Sequence, residues 1–322
     1  MSYTVKQVSH LADLLLDNIS SVIFDQELNI KLALATVLSE GNMLFEDVPG
    51  VGKTMLCRAL AKSVGGVFAR LQCTPDLLPS DLLGTNIYSR KNEDFVFYPG
   101  PVFSNVLLAD ELNRATPKMQ SALLECMEER QVTVNGESYR LPKPFIVAAT
   151  QNPIEYEGTF SLPEAQLDRF TVKLSLGYPS PKAEMYMLKV QKQKHPIESL
   201  KSVCTAEQLS SALETVRSVQ VSDATIRYIV DIVAATRQTK HLKLGASPRA
   251  SQALYRMSQA WAILNGRNYA IPDDVQQLAP YILPHRLITN QRNNVMEILG
   301  EILANVPVVQ SIQKKLDSIG KI

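Results

Sequence analysis

Val5, Val8, Leu11, Leu15 and Ile19 recur at intervals of three to four residues, which predicts an amphipathic helix over residues 5–19. A second helix is expected from Asp25, with Ile30, Leu34, Val37 and Leu38 on one face. The period then changes. Residues 43–46 form a short apolar run that breaks at Pro49-Gly50, the pattern of a buried strand entering a turn. Residues 54–64 return to helical spacing, and 67–71, 106–110, 145–152 and 171–174 read as strands. Thr116 before Pro117 marks a helix start: the hydroxyl can accept a first-turn N–H, and proline lacks a donor that the first turn does not use. Strands alternating with helices predict an α/β fold, a parallel sheet covered on both faces.

Two segments interrupt the alternation. Residues 86–98 have strand-like halves around 91–94. In 131–141, Val132 and Val134 are followed by Asn135-Gly136 and then Tyr139 and Leu141; Asn-Gly accepts the positive φ of a tight hairpin turn. Both read as hairpins inserted into the core. The stretch Gly177-Tyr-Pro-Ser-Pro181 reads as a linker, and everything after it reads as helix. Thr205 with Gln208 has capping-box spacing, Ile226, Ile229, Val230 and Val233 form one stripe, and Ser247-Pro248 opens a helix containing Leu254, Met257 and Trp261. The expected domains are therefore 1–177 and 178–322.

Composition narrows the class. Hydrophobic residues make up 45% of 322, enough for a core in each domain. Lys plus Arg is 33 against 32 for Asp plus Glu, a balance that gives no support for a nucleic-acid or anionic-membrane partner. Cys57, Cys73, Cys126 and Cys204 are scattered without a C-x-x-C pair, which argues against a disulfide framework or zinc site. No signal peptide and no bilayer-length apolar run are read, so a cytoplasmic protein without membrane insertion is expected.

Candidate chemistry begins at Asp47-Val-Pro-Gly-Val-Gly-Lys-Thr54, between a predicted strand and a predicted helix, the context of a phosphate-binding loop. Gly50 and Gly52 let backbone N–H groups turn inward, and the helix that follows adds its positive end. Lys53 is placed to reach β- and γ-phosphates, and the Thr54 hydroxyl to hold Mg²⁺. Pro49, Val51 and Met55 complete the predicted nucleotide-contacting set. Asp47 stands where the strict pattern has glycine. Val106-Leu-Leu-Ala-Asp110-Glu111 puts two acids at a strand's C-terminal end, where open α/β sheets bind ligands. Asp110 is the expected metal ligand and Glu111 the group that polarises water. Asn152 ends the next strand, either as a water or γ-phosphate contact or as a turn residue before Pro153. Arg169 is either a donor to phosphate or a surface ion pair. Arg249, at a helix N-terminus where a cation is disfavoured, calls for an anionic partner, phosphate or an intramolecular carboxylate.

The ordered set Val-Pro-Gly-Val-Gly-Lys-Thr54, Leu-Leu-Ala-Asp-Glu-Leu-Asn-Arg-Ala115, Gln-Ser-Ala-Leu-Leu-Glu-Cys-Met-Glu-Glu129, Ala-Thr-Gln-Asn-Pro153, Leu-Pro-Glu-Ala-Gln-Leu-Asp-Arg-Phe170 and Gly-Ala-Ser-Pro-Arg249 resembles the MoxR family of AAA+ ATPases over almost the whole chain. The resemblance implies an αβα core with a parallel five-stranded sheet and an all-helical lid, with ATP at their junction. It implies Asn152 as sensor 1, Arg249 as sensor 2, Arg169 as a finger donated to a neighbouring subunit, and Val22, Ile23 and Phe24 beside the adenine. An acid at position 47 is familiar in that family. A homo-oligomeric ring, expected to be a hexamer, follows from the resemblance and from a finger acting in trans. The implied function is ATP hydrolysis coupled to remodelling of client proteins, with a von Willebrand factor A-domain protein as one class of partner. Two alternatives compete. A nucleic-acid motor would want a more basic hairpin than 131–141, which has Arg140 but also Glu137. A nucleotide-gated scaffold would not need Glu111 and Arg169.

Overall fold

The computed structural model describes residues 3–91, 93–152, 159–190, 196–290 and 294–308. The chain opens with two helices, α1 (Val5–Ser20) and α2 (Glu27–Leu38). The second starts two residues later than its apolar pattern indicates, because Asp25 sits at φ 60° and cannot be its first turn. Next come β1 (Met43–Glu46), α3 (Lys53–Ser63), β2 (Phe68–Gln72), α4 (Pro79–Leu83) and the hairpin β3 (Gly84–Ser89) and β4 (Asp94–Pro99). The core continues with β5 (Val106–Asp110), α5 (Pro117–Glu129), the hairpin β6 (Gln131–Val134) and β7 (Glu137–Arg140), β8 (Ile146–Gln151), α6 (Glu164–Leu167) and β9 (Val172–Leu174).

Five of these strands form one parallel sheet in the order β2-β5-β8-β1-β9. Period-2 alternation builds both of its faces. Met43, Phe45, Val106, Leu108, Ile146 and Ala148 point into one apolar cluster, while Leu44, Leu107, Ala109, Val147 and Ala149 point into another. All eleven are essentially inaccessible to solvent. The expected αβα core with a parallel five-stranded sheet is what the chain forms. The C-terminal ends of β1, β5 and β8 lie side by side, with Glu46 opposite Gln151 and Ala109 opposite Ala149.

Both hairpins are present. Asn135 (φ 51°) and Gly136 (φ 86°) make the tight turn between β6 and β7. Phe97 of the first hairpin stacks on Tyr139 of the second at 4.2 Å, so the two insertions form one aromatic-linked unit. At the far end of the first, Tyr88 and Phe95 are more than half exposed.

The C-terminal part is a helical lid: α7 (Pro181–Val190), α8 (Pro196–Ser199), α9 (Ala206–Arg217), α10 (Asp223–Gln238), α11 (Pro248–Leu264), α12 (Pro272–Ile282) and α13 (Val295–Asn305). Thr205 and Gln208 close the expected reciprocal cap on α9. Two details differ from the pattern. The lid is not purely helical: Gln220–Val221 pairs with Tyr269–Ala270, and Leu242–Leu244 pairs with Ile288–Thr289. The stripe on α10 is also rotated. Ile229 and Val233 are buried together with Tyr228 and Ile232, while Ile226 and Val230 face outward, because α10 packs on α11, α12 and α13 along its 228–229 and 232–233 positions.

The apolar cluster on the α1–α3 side of the sheet is continuous from Val8 to Ile302. Helix α11 packs on α1 and α2, and α12 packs on β9. The lid is therefore seated against the N-terminal helices and the β9 edge, a placement that decides where Arg249 can reach.

Candidate functional site

The loop after β1 turns on two left-handed glycines, Gly50 at φ 84° and Gly52 at φ 99°. No atom would meet a Cβ at either position, so backbone conformation alone demands glycine here. Gly52 is the N-cap of α3, and the Lys53 Nζ donates to the carbonyls of Asp47 (3.0 Å) and Val48 (3.3 Å). Asp47, where the strict pattern has glycine, is buried. Its Oδ2 accepts the N–H groups of Leu176 (2.6 Å) and Gly177 (2.9 Å), and its Oδ1 accepts that of Val48. The acid thus fastens the loop to the segment that leads into the lid.

A cleft of about 350 Å³ brings Pro49, Gly50, Gly52, Lys53, Thr54 and Met55 together with Asp110, Glu111, Asn152, Thr150 and Arg70. The first nine of these were expected; Thr150 and Arg70 were not singled out. Thr150 donates its hydroxyl to Asp110 Oδ1 (2.7 Å) and accepts the Glu111 N–H (2.8 Å), so it fixes both acids. Arg70 donates twice to Asp110 Oδ2, at 2.7 and 3.1 Å. Glu111 sits at φ 58°, a left-handed conformation that is strained for a non-glycine residue. Its Oε2 accepts from Gln72 and Arg114, both at 3.0 Å. The alternation of β2 puts Arg70 and Gln72 on one side of the sheet's edge strand, but only the register Gln72↔Asp110 shows that they meet the acids.

A second cleft shares Gly50, Gly52 and Met55 with the first and adds Val22, Ile23 and Val51. Phe24 and Gln26 continue its wall, and the lid side contributes Pro179, Met187 and Pro196. It is mostly apolar, as a slot for a flat heterocycle would be, and it opens onto the loop that the phosphate cleft uses.

Arg169 and Arg249 lie elsewhere. They line a third pocket together with Glu128, Asp168, Arg286, Gly41 and Asn42. Gly41 and Asn42 precede β1 whereas the glycine loop follows it, so this pocket is at the opposite edge of the sheet. The four residues of β1 alone separate the two by about 13 Å. Arg249 therefore does not reach the cleft at the glycine loop of its own chain, because the lid is docked on α1 and α2. Glu128 pairs with both arginines: Arg169 at 3.0 Å and, in direct contact, Arg249. Asp168 ties the same unit together, pairing with Arg286 (2.9 Å) and accepting the hydroxyl of Ser247, the α11 N-cap (2.6 Å). Arg286 and His285 both donate to the Phe170 carbonyl, at 2.7 and 2.9 Å. Burial, foremost, drives the His285 imidazole down to about 3, with Arg286 adding to the effect. Of the supporting residues, Ser247 was legible as the start of α11, Glu128 and Asp168 lay inside stretches that carry the family resemblance but had no role assigned, and Arg286 carries no sequence signal of its own.

A divalent metal fits the first cleft. The Thr54 hydroxyl and Asp110 carboxylate are hard oxygen donors, the sparse protein set suited to Mg²⁺, which keeps waters and phosphate oxygens as its other ligands. Asp110 already carries a guanidinium, so the position stabilises positive charge. Among the described residues no cluster of three or more His, Cys, Asp or Glu could hold a metal by itself. The thiols take no part: burial raises Cys57, Cys73 and Cys126 to about 12 and Cys204 to about 11, and all four are unpaired. No described helix is long and apolar enough to cross a membrane.

Comparison with known proteins matches this geometry. The profile of the ATPase family associated with various cellular activities (AAA) covers residues 42–172, and that of an AAA lid domain covers 234–302. The chaperone MoxR1 of Mycobacterium tuberculosis is 41% identical over 305 residues, 92% of this chain and 80% of the relative. The chain belongs to the MoxR family of AAA+ ATPases. The protein YeaC of Bacillus subtilis is 52% identical over 272 residues, 84% of this chain and 85% of the relative. A crystal structure of a protein from Cytophaga hutchinsonii assigned as an ATPase superimposes with a TM-score of 0.88 at 37% identity, covering 94% of this chain and 96% of that one. Membership of the MoxR family accounts for the glycine loop, the paired acids and the lid within one chain.

Proposed function

We propose that this MoxR-family chain hydrolyses ATP in a ring of identical subunits, with six as the expected number, and uses the cycle to remodel or assemble client proteins. The observation that carries the proposal is the separation of Arg169 and Arg249 from the phosphate cleft of their own chain. Two paired arginines at the far edge of the sheet complete a catalytic site only if a neighbouring subunit presents its nucleotide to them.

In this scheme the apolar cleft at Val22, Ile23 and Met55 takes the adenine. Loop N–H groups and Lys53 take the phosphates. Thr54 and Asp110 would hold Mg²⁺, whose charge would offset that of the phosphates. Glu111 orients a water and accepts its proton as the water oxygen bonds to the γ-phosphorus. The bond to the bridging oxygen breaks, leaving ADP and inorganic phosphate. Asn152 borders the same cleft and is assigned to positioning water or the γ-phosphate. Arg169 and Arg249 of the neighbour offset the developing charge; a finger contributes about 10³–10⁵ in kcat. The Asp47 link to Leu176 and Gly177 gives the loop a direct route to the lid.

A protein client is favoured by the exposed Tyr88 and Phe95 on the first hairpin, which suit apolar contact better than phosphate tracking. The relative named chaperone MoxR1 supports the same reading. A von Willebrand factor A-domain protein is one candidate partner, and nucleic acid is not expected. The deciding experiment mixes variants. Arg169→Ala and Lys53→Ala should each lose turnover, and an equimolar mixture should recover part of it, because Lys53→Ala subunits supply fingers to intact loops. Absence of recovery, with both variants folded and associating, rejects a site shared between subunits.

A further inference from the structure

Arg70 stands on the edge strand β2 opposite Leu108, with a side chain half exposed and lining the phosphate cleft. The Nη2 and Nε atoms both donate to Asp110 Oδ2, at 2.7 and 3.1 Å, and Nη2 also donates to Gln72 Oε1 at 2.7 Å. The other carboxylate oxygen of Asp110, Oδ1, already accepts the Thr150 hydroxyl at 2.7 Å. Oδ2 therefore has both acceptor positions taken by the guanidinium while Oδ1 keeps one, and a cation approaching Asp110 meets a carboxylate whose charge is already paired. Arginine does not lose its charge at accessible pH, so this pairing is not relieved by deprotonation. A hydrated Mg²⁺ on Asp110 would share the carboxylate with this guanidinium, and the two positive charges oppose each other there.

Building on the nucleotide assignment above, we infer that Arg70 is an internal counterion that competes with Mg²⁺ for Asp110 and so sets the magnesium concentration at which nucleotide binds fully. It is a positioning residue: it acts on Asp110 and not on the reacting atoms. Competition between an ion pair of this exposure and a metal is modest in size, about threefold in the magnesium midpoint.

The test is binding of a fluorescent ADP across a magnesium series, with the full chain as wild type, Arg70→Gln and Arg70→Lys. Arg70→Gln should lower the magnesium midpoint about threefold while affinity at saturating magnesium stays within about twofold. Arg70→Lys, which keeps the charge but not the paired donors, should fall between the two. A midpoint that is unchanged or raised overturns the inference. So does a large loss of affinity at saturating magnesium, which would make Arg70 a phosphate ligand. Failure of the wild type itself to bind ADP, with Lys53→Ala no different, would instead sink the nucleotide assignment. Thermal melts without nucleotide confirm that each variant is folded.

Discussion

Lys53 is the residue on which the phosphate cleft turns, because its Nζ sits among the carbonyls of the loop that it would bridge to phosphate. Lys53→Ala should abolish the rise in melting temperature that ATP produces; a ligand at a hundred times its Kd adds about 2.7 kcal/mol. A shift equal to that of the wild type would remove the loop from the nucleotide site. Glu128 has a different part. It holds two guanidiniums side by side from the end of α5, and without it they lose their common orientation. Glu128→Ala should therefore lower kcat by about 10- to 100-fold, the scale of a misplaced contact, while the Kd for ADP stays put. A variant that weakens ADP binding and leaves kcat intact would contradict that role. These two residues also show the limit of sequence reading at this scale. Lys53 is legible because its spacing from Gly50 and Gly52 has one strong meaning. Glu128 is one of three glutamates in Glu125-Cys-Met-Glu-Glu129, and only folding shows which of them meets the arginines.

Among elements, the junction of α6 and α11 joins core to lid at the arginine pocket. Ser247 caps α11 by accepting the Arg249 N–H and also donates to Asp168, the neighbour of Arg169. Ser247→Ala removes both contacts and should cost roughly 1–3 kcal/mol of stability, readable as a shift in urea midpoint. Because the phosphate cleft is at the other edge of the sheet, ADP affinity should be retained; a matching loss would mean that the two edges are coupled in the isolated chain. The strands of the core and most helices were legible from alternation and caps, whereas the short strand pairs of the lid were not. The stripe on α10 was not, since Ile226 fits the helical period as well as Tyr228 does and only the neighbours α11 to α13 choose between them.

The whole molecule brings in pH and assembly. His285 is buried against Phe170, with its imidazole held near 3 against 6.5 in an unfolded chain. The unfolded state thus binds the proton that the folded state refuses. Stability owes nothing to this group above about pH 6.5 and falls as pH drops from there toward 3, by about 1.4 kcal/mol for each unit. Denaturation midpoints of wild type and His285→Gln should therefore diverge in slope below pH 6.5, and parallel slopes would refute the assignment. Recovery of turnover in mixtures of Arg169→Ala and Lys53→Ala belongs to this scale as well, because it would report the proposed site shared between subunits.

By itself the sequence determined a parallel sheet covered on both faces, the glycine loop and a helical second domain, because each rests on local periodicity or on a specific spacing; the paired acids at the end of β5 took their meaning from the glycine loop, and the lid from the family resemblance. The tertiary structure decided where the distant parts meet. It seated the lid on α1 and α2, so that Arg249 joins Arg169 at the opposite edge from the phosphate cleft, and it placed Arg70 on Asp110. The Arg70–Asp110 and Arg249–Glu128 contacts join residues 40 and 121 positions apart, whose meeting depends on strand order and helix packing and not on the pattern of any one segment.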